Sequence, residues 1–131
     1  MRLLLDTHVA LWAVIEPSRL PPTIQDAIAD ETNSVAISVV TLWEIAIKHR
    51  LRRGAPGDMT LSAREAAHEF ACASFEFLDV TIGHALAIAD LPAIHTDPFD
   101  RMLIAQARTE PMRLVTHDAT VASYGDWIDR I

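Results

Sequence analysis

Short apolar runs alternate with longer helical stretches along this chain. The apolar runs predict strands at residues 2–5, 35–38, 77–80, 113–115 and 127–128. The stretches between them predict helices at 7–15, 22–31, 39–52, 62–74, 81–90 and 98–110, with a short helix or turn from 118. Strands separated by helices favour βαβ crossovers. We therefore expect an α/β fold in which a mainly parallel sheet lies between two helical layers.

Length and composition indicate one globular domain spanning residues 1–131. Half of the residues are hydrophobic, which excludes a disordered chain, and there is no repeat or long linker. The single cysteine, Cys72, excludes an internal disulfide and fits a reducing compartment, so we expect a cytoplasmic protein. The apolar run at 9–15 is far shorter than the roughly 20 residues that a membrane span needs, so we expect no membrane association.

Carboxylates follow the predicted strands at the positions where parallel sheets bind ligands. Asp6 comes directly after the first strand, and Asp118 comes three residues after the 113–115 strand. Glu44 lies on the helix that leaves the second strand, while Asp97 and Asp100 open the 98–110 helix. Each aspartate also suits a helix N-terminus, and for Asp97 capping is the favoured interpretation. Convergence on one cleft and simple capping both remain open from the sequence.

Glu44 is the most informative of these acids because a position in the middle of a helix offers no capping role. Helical spacing stacks it with Val40, Ile47 and Leu51, so it borders the apolar face of its helix. Lys48 is a possible surface partner, but burying a carboxylate among apolar neighbours costs on the order of several kcal/mol without compensation. This position favours a functional role for Glu44.

Clustered carboxylates indicate a hard metal ion, because their charges repel one another unless a cation lies among them. Oxygen ligands select Mg²⁺ or Mn²⁺, which activate water and stabilise charge on a phosphoryl group. Metal-assisted phosphodiester hydrolysis suits these residues best. A Mg²⁺-dependent phosphatase or phosphoryl-transfer enzyme is an alternative, although His8 stands where an aspartyl-phosphate enzyme would want a second aspartate. A non-catalytic module that docks a basic peptide in an acidic cleft is another.

Four segments, in order along nearly the whole chain, resemble one protein family. They are LLDTH at 4–8, LWEIAIK at 42–48, HTDPFDRMLIA at 95–105 and LVTHD at 114–118. With these segments the chain is similar to PIN-domain ribonucleases of the VapC toxin type. The resemblance implies a three-layer α/β/α fold and an endoribonuclease with one or two divalent ions. It also implies a toxin inhibited by a small cognate antitoxin, with subunits that often dimerise.

Carried over by motif, the metal-binding and catalytic acids of the family correspond to Asp6, Glu44, Asp100 and Asp118. Asp97 is a possible additional ligand. Asp100 takes the core position because it precedes Leu-Ile-Ala at 103–105 and lies 18 residues before Asp118, as in the family. Two hydroxyl residues adjoin the first and last acids and either orient ligands there or serve as structural hydroxyls; they are Thr7 and Thr116.

Basic residues are few but locally concentrated. The chain carries 11 Lys and Arg against 18 Asp and Glu, a formal net charge of −7, which by itself argues against a passive nucleic-acid coat. Four of the basic residues fall between positions 48 and 53. The candidate RNA-binding residues are Lys48, Arg50, Arg52, Arg53 and Arg101. A phosphate-gripping edge beside the cleft competes with a solvated helix end and, for Arg101, with pairing to nearby acids.

Several other side chains have two interpretations. Three histidines adjoin the acidic motifs without the spacing of a zinc site, so we expect supporting or structural roles for His8, His95 and His117. We expect Trp12 and Trp43 to pack in the core, with stacking on RNA bases as the alternative. Cys72, on an Ala-rich helix, is expected to be small and buried.

Overall fold

Five strands form one parallel sheet in the computed structural model, which describes all 131 residues. The strands are β1 (Arg2–Leu5), β2 (Ser34–Ser38), β3 (Glu76–Leu78), β4 (Arg113–Thr116) and β5 (Ile128–Arg130). Their order across the sheet is β3-β2-β1-β4-β5, and every neighbouring pair is parallel. The predicted parallel sheet is therefore confirmed, with β1 at its centre.

Seven helices cover the two faces of this sheet. They are α1 (Thr7–Ile15), α2 (Pro22–Ala29), α3 (Val39–Arg50), α4 (Ala63–Cys72), α5 (Ile82–Ala87), α6 (Pro98–Thr109) and α7 (Ala119–Ala122), with short 3₁₀ turns at Pro17–Arg19 and Ile88–Asp90. Each predicted helix is present, with ends that move by a few residues. The fourth begins after Ser62 because the Ser62 hydroxyl accepts from the Glu65 amide while the Glu65 carboxylate accepts from the Ser62 amide.

Alternation along the strands divides the interior into two cores. On β1, Leu3 and Leu5 point to the face covered by α1 and α4, where Phe70 is fully buried. Leu4 points to the opposite face, onto Leu103 of α6. Strands that are apolar on both faces need a helical layer on each side, which gives the three-layer α/β/α architecture.

Two expectations about packing are wrong. Trp43 is 62% exposed, because α3 turns Val40, Thr41, Glu44 and Ile45 inward and leaves position 43 on another side of the helix. Cys72 is exposed at the end of α4 for the same reason, since that helix buries positions 66 and 70. Trp12 is partly buried and packs against the first core.

The order of the strands determines where the chain gathers its polar residues. The carboxyl ends of β1, β2 and β4 lie side by side at one edge of the sheet. Asp6 follows β1 there, α3 leaves β2 directly, and Thr116 ends β4. None of the seven helices combines the length and hydropathy that crossing a bilayer requires.

Replacing Leu4 by alanine should test the central strand. Leu4 is fully buried, so Leu4→Ala should lower the free energy of unfolding by about 3–5 kcal/mol through lost burial and a residual cavity. Urea denaturation measures the change. The control Ile82→Ala, at a side chain that is 81% exposed, should change stability by less than about 0.5 kcal/mol. Equal losses in the two variants would contradict the assignment of Leu4 to the core.

Candidate active site

A polar cavity of about 220 Å³ lies at the carboxyl edge of the sheet. No hydrophobic residue lines it; its walls are Asp6, Thr7, His8, Glu44, Lys48, His95, Asp97, Asp100 and Asp118. All five acids singled out in the sequence therefore share one cavity. They come from four separate segments of the chain, which the crossovers of the sheet bring together.

Asp6 is held at the bottom of this cavity by two donors. One carboxylate oxygen accepts from the Val9 amide at 3.0 Å, which caps α1, and the other accepts from the Thr116 hydroxyl. Only 6% of Asp6 is exposed. Burial raises the pKa of Asp6 above its usual range, while the hydrogen bonds from Thr116 and Val9 act in the opposite direction. The same conformation of Asp6 therefore caps α1 and places the carboxylate in the cavity.

Glu44 is buried in the wall of the cavity with both oxygens occupied. The Thr7 hydroxyl donates to Oε1 at 2.6 Å, and the Lys48 ammonium donates to Oε2 at 2.5 Å. Glu44 is only 4% exposed, whereas the side chain of Lys48 is 46% exposed. Lys48 therefore extends along the helix from solvent to a buried acid, and this contact is more than a surface ion pair.

Asp100, His95 and Asp118 form the densest group of possible ligands. The His95 Nε2 lies 2.8 Å from Asp100 Oδ2 and 3.9 Å from Asp118 Oδ2. One potential ligand atom from each of the three residues lies within 4.8 Å of the others. Because Nδ1 accepts from the Thr96 amide, Nε2 carries the proton that is donated to Asp100.

Burial raises the pKa of Asp100 to about 6. The neighbouring charge of Asp97 also raises this pKa, the hydrogen bond from His95 lowers it, and the charge of Glu44 raises it further. Burial and repulsion from the neighbouring acids therefore both disfavour the charged form of Asp100. A cation in the cavity would relieve the repulsion.

Asp97 and Asp118 each begin a helix at the rim of the cavity. Asp97 Oδ1 accepts from the amides of Phe99 and Asp100, so the capping expectation is confirmed. Asp118 Oδ1 accepts from the Thr120 amide at 2.7 Å, while its Oδ2 faces His95. Because only one oxygen of each carboxylate is used in capping, the other is available to the cavity.

The arginines lie outside this cavity. Arg50 ends α3, and Arg52 and Arg53 follow it; all three are exposed. Arg52 donates to the carbonyl of His49 at 2.7 Å. Arg101 donates to the carbonyls of Pro92 and Ile88 and to the Tyr124 hydroxyl. It therefore ties down the segment before α6 and contacts none of the acids.

Two histidines belong to the cavity more closely than the sequence indicated. His95 contacts an acid, and His8 lines the wall beside Asp6. The one feature of the sequence that points to these histidines is their closeness to the acids. His8 lies two residues after Asp6, and His95 lies two residues before Asp97. The spacing does not reveal which ring nitrogen faces a carboxylate, because this depends on how the segment before α6 folds back.

The fold and cavity define an α/β/α protein with an oxygen-rich site at the carboxyl edge of a parallel sheet. The family model described as PIN domain matches residues 3–126, so the chain belongs to the PIN-domain family. It is 34% identical over 124 residues to ribonuclease VapC22 of Mycobacterium tuberculosis, covering 92% of this chain and 90% of that protein. The expected family membership is confirmed.

Solved structures share the fold at low sequence identity. VapBC2 from Rickettsia felis, bound to a DNA fragment from its promoter, matches with a TM-score of 0.70 and 14% identity over 99% of this chain and 98% of that one. VapBC-5 from Mycobacterium tuberculosis matches with a TM-score of 0.60 and 22% identity over 99% and 97%. These similarities support the three-layer architecture.

Neutralising Asp100 should stabilise the metal-free protein at neutral pH. Burial raises the pKa of the Asp100 carboxyl from 3.8 to about 6 on folding, so between these pH values the folded state binds more protons than the unfolded state. Ionisation of this carboxyl at higher pH therefore lowers the free energy of unfolding. Asp100→Asn should therefore have the higher Tm at pH 7, by roughly a few degrees. The difference should shrink as the pH falls from about 6 toward 4.

Thermal unfolding in EDTA across this pH range measures the effect. Asp26→Asn, which removes an exposed carboxylate of α2 outside the cavity, is the control and should show no such pH-dependent gain. An Asp100→Asn protein that is less stable than the parent at pH 7 would contradict the interpretation that ionised Asp100 destabilises the folded protein.

Proposed function

We propose that this PIN-domain protein is a divalent-metal-dependent endoribonuclease that cleaves RNA phosphodiesters with an activated water. The observation that carries the proposal is the cavity itself, in which five carboxylates meet without any hydrophobic lining. Its 34% identical relative is a ribonuclease by name, which supports the same activity here. We further propose that it acts in the cytoplasm as the toxin of a toxin–antitoxin pair.

The donor set fits Mg²⁺ or Mn²⁺, as one or two ions. Asp6, Glu44, Asp100 and Asp118 would hold the metal, with Asp97 as a possible further ligand. All of these offer carboxylate oxygens, the donors that hard divalent cations prefer. The raised pKa of Asp100, to which the charges of Asp97 and Glu44 contribute, is what an acid cluster without a counter-ion should show.

Each acid is held by a partner that limits its movement. Asp6 is oriented by the Thr116 hydroxyl and the Val9 amide. Glu44 is oriented by Thr7 and Lys48. Asp100 is oriented by His95. When bound, Mg²⁺ or Mn²⁺ supplies an activated water and stabilises the charge that develops on the phosphoryl group. The hydrogen bonds of the protein keep the ligand oxygens in place, so little reorganisation is needed.

The RNA backbone is proposed to bind along the basic end of α3. Lys48 reaches the cavity, and the exposed Arg50, Arg52 and Arg53 extend the positive edge away from it. Arg101 stays a candidate for phosphate contact, although its guanidinium is engaged by the Pro92 and Ile88 carbonyls. Local charge, and not the net charge of −7, is the relevant quantity for this surface.

RNA cleavage by the purified protein tests the proposed activity. Cleavage should require Mg²⁺ or Mn²⁺ and stop in EDTA. Asp6→Ala and Asp100→Asn should each lower the rate by at least about a hundredfold, because each removes a ligand charge. Asp26→Asn, at an exposed carboxylate outside the cavity, should retain the parental rate.

Cleavage that persists in EDTA or in both site variants would overturn the metal-site proposal. Hydrolysis confined to nucleoside or sugar phosphates would replace it with the phosphatase alternative. Following product formation with end-labelled RNA, and phosphate release with small phosphate esters, separates these outcomes.

A cognate antitoxin and a second copy of the chain are the proposed protein partners. VapBC complexes among the structural neighbours support the antitoxin, and an acidic chain suits a basic inhibitor. A short upstream gene encoding a DNA-binding antitoxin is expected beside this one. For the homodimer, Trp43 and Ile47 of α3 and Leu51, directly after it, form an apolar stripe. These side chains are 62%, 38% and 63% exposed.

Light scattering after size exclusion tests the dimer. The protein should have about twice the 14.5 kDa mass of one chain, and Trp43→Glu should shift it to the monomer because a charge would be buried in the apolar contact. Ile15→Glu, at an exposed apolar residue of α1, is the control and should stay dimeric. A monomeric parent protein would reject the proposed dimer.

A further inference from the structure

A second groove adjoins the acidic cavity on the side of α1. It has a volume of about 270 Å³ and is lined by Asp6, His8, Trp12, His117 and Asp118. Asp6, His8 and Asp118 also line the acidic cavity, so the two spaces share a wall. We call this space the Trp12 groove. A ligand that contacts the acids at their α1 side meets the groove next.

Three aromatic rings are grouped in this groove. His8 and Trp12 lie one helical turn apart on α1, with ring centroids separated by 6.1 Å. His117 meets the Trp12 ring edge-on at 5.2 Å. Trp12 packs against the first core, whereas His8 and His117 are exposed. The group therefore combines the indole of Trp12, which the core holds in place, with the solvent-accessible imidazole rings of His8 and His117.

A cation lies against the Trp12 ring just outside the groove, because Arg19 lines the neighbouring cavity that shares His8 and Trp12 with it. The guanidinium carbon of Arg19 lies 4.5 Å from the centroid of the Trp12 ring, within the range of a cation–π contact. The Arg19 side chain is 54% exposed, so this contact lies at the protein surface. Aromatic rings together with an arginine plane are the surfaces on which unpaired bases of single-stranded RNA stack.

We propose that the Trp12 groove binds one unpaired nucleobase of the RNA substrate, adjacent to the phosphodiester that is cleaved. The inference rests on the proposed ribonuclease function and adds a specificity-determining subsite to it. A phosphate positioned at Asp6 and Asp118 has a neighbouring nucleotide, and the shared wall directs that nucleotide's base toward His8, Trp12 and His117. A base held outside a duplex favours single-stranded or loop RNA as substrate.

The lining of the groove favours a base over a protein segment. Trp12 is its single hydrophobic residue, and two of the other four residues are aspartates. A peptide anchored by apolar side chains needs aliphatic walls, and Leu11, Ile15 and Met59 line only the outer continuation of the surface, beyond Trp12. The portion nearest to the acids offers planar stacking surface and polar edges, which suit a heterocyclic base.

The first experiment measures binding by tryptophan fluorescence. Short single-stranded oligoribonucleotides are titrated into the full-length protein in Ca²⁺ buffer, with RNA integrity followed on a gel. All variants carry Trp43→Phe, which removes the exposed tryptophan of α3 next to Glu44 and leaves Trp12 and Trp127 as emitters. In this background stacking should quench the emission of Trp12, and Trp12→Leu should abolish that quenching and weaken RNA affinity by about fivefold or more. His8→Ala and His117→Ala, at exposed rings, should weaken binding in the same direction if Trp12→Leu proves too unstable to study.

Trp127 provides a matched control because it is also paired with an arginine, Arg108, at 5.2 Å. It precedes β5 at the opposite edge of the sheet and is remote from the acids. Trp127→Leu should keep both the quenching and the affinity. Quenching that survives in Trp12→Leu, or is lost in Trp127→Leu, would overturn the proposal. So would the absence of saturable RNA binding, which would leave the groove to a protein partner.

The second experiment links the base to cleavage. An abasic nucleotide placed on one side or the other of the cleaved bond should lower kcat/KM of the parent protein about fivefold or more, at one of the two positions only. In Trp12→Leu the intact and abasic RNAs should be cleaved equally. An abasic penalty that is unchanged in Trp12→Leu would overturn the subsite. If the parent cleaves no RNA with Mg²⁺ or Mn²⁺, the proposed function fails, while the fluorescence titration still decides what the groove binds.

Discussion

Electrostatic repulsion among carboxylates in a small, poorly solvated cavity is the constraint around which this structure is organised. The parallel order of β2, β1 and β4 brings their carboxyl ends together, and the acids that follow these strands and open α6 line one cavity there. Burial, reinforced by the charges of Asp97 and Glu44, raises the pKa of Asp100 to about 6. The surrounding hydroxyls, amides, one lysine and one histidine hold the acids in place and leave the remaining charge for a cation to balance.

Three aspartates each cap a helix and line the cavity with the same side chain. Asp6, Asp97 and Asp118 each cap a helix with one oxygen, which fixes the carboxylate relative to the backbone. A carboxylate fixed in this way keeps its orientation without a long network of supporting side chains. Glu44 lies within a helix and lacks this aid, so Thr7 and Lys48 hold its two oxygens instead. Capping and a place in the cavity, which the sequence presents as alternatives, therefore occur together in the folded protein.

Much of the fold and the acid set could be predicted, because strand length, helix caps and position after a strand are local signals. Every predicted element is present, and all five acids line one cavity. Side-chain exposure was less predictable. Trp43 and Cys72 are exposed because the rotation of a helix about its own axis decides which of its apolar residues face the core. A helix with apolar residues on several sides does not reveal that rotation in its sequence. The contact of His95 with Asp100 depends on the path of the loop before α6, where the His95 amide donates to the distant Tyr124 hydroxyl.

The sequence by itself determined the α/β class, the parallel sheet and the identity of the acids. Hydrophobic periodicity indicates the fold, and Asp6 and Asp118 follow predicted strands. The middle-of-helix position of Glu44 and the family motif around Asp100 single out the other two. Only the tertiary structure decided which groups touch. It placed His95 against Asp100, directed Arg101 away from the acids onto backbone carbonyls, and placed His117 against Trp12. These contacts join residues that are distant along the chain or separated by irregular loops. Their geometry depends on how the layers pack, and no local pattern in the sequence encodes it.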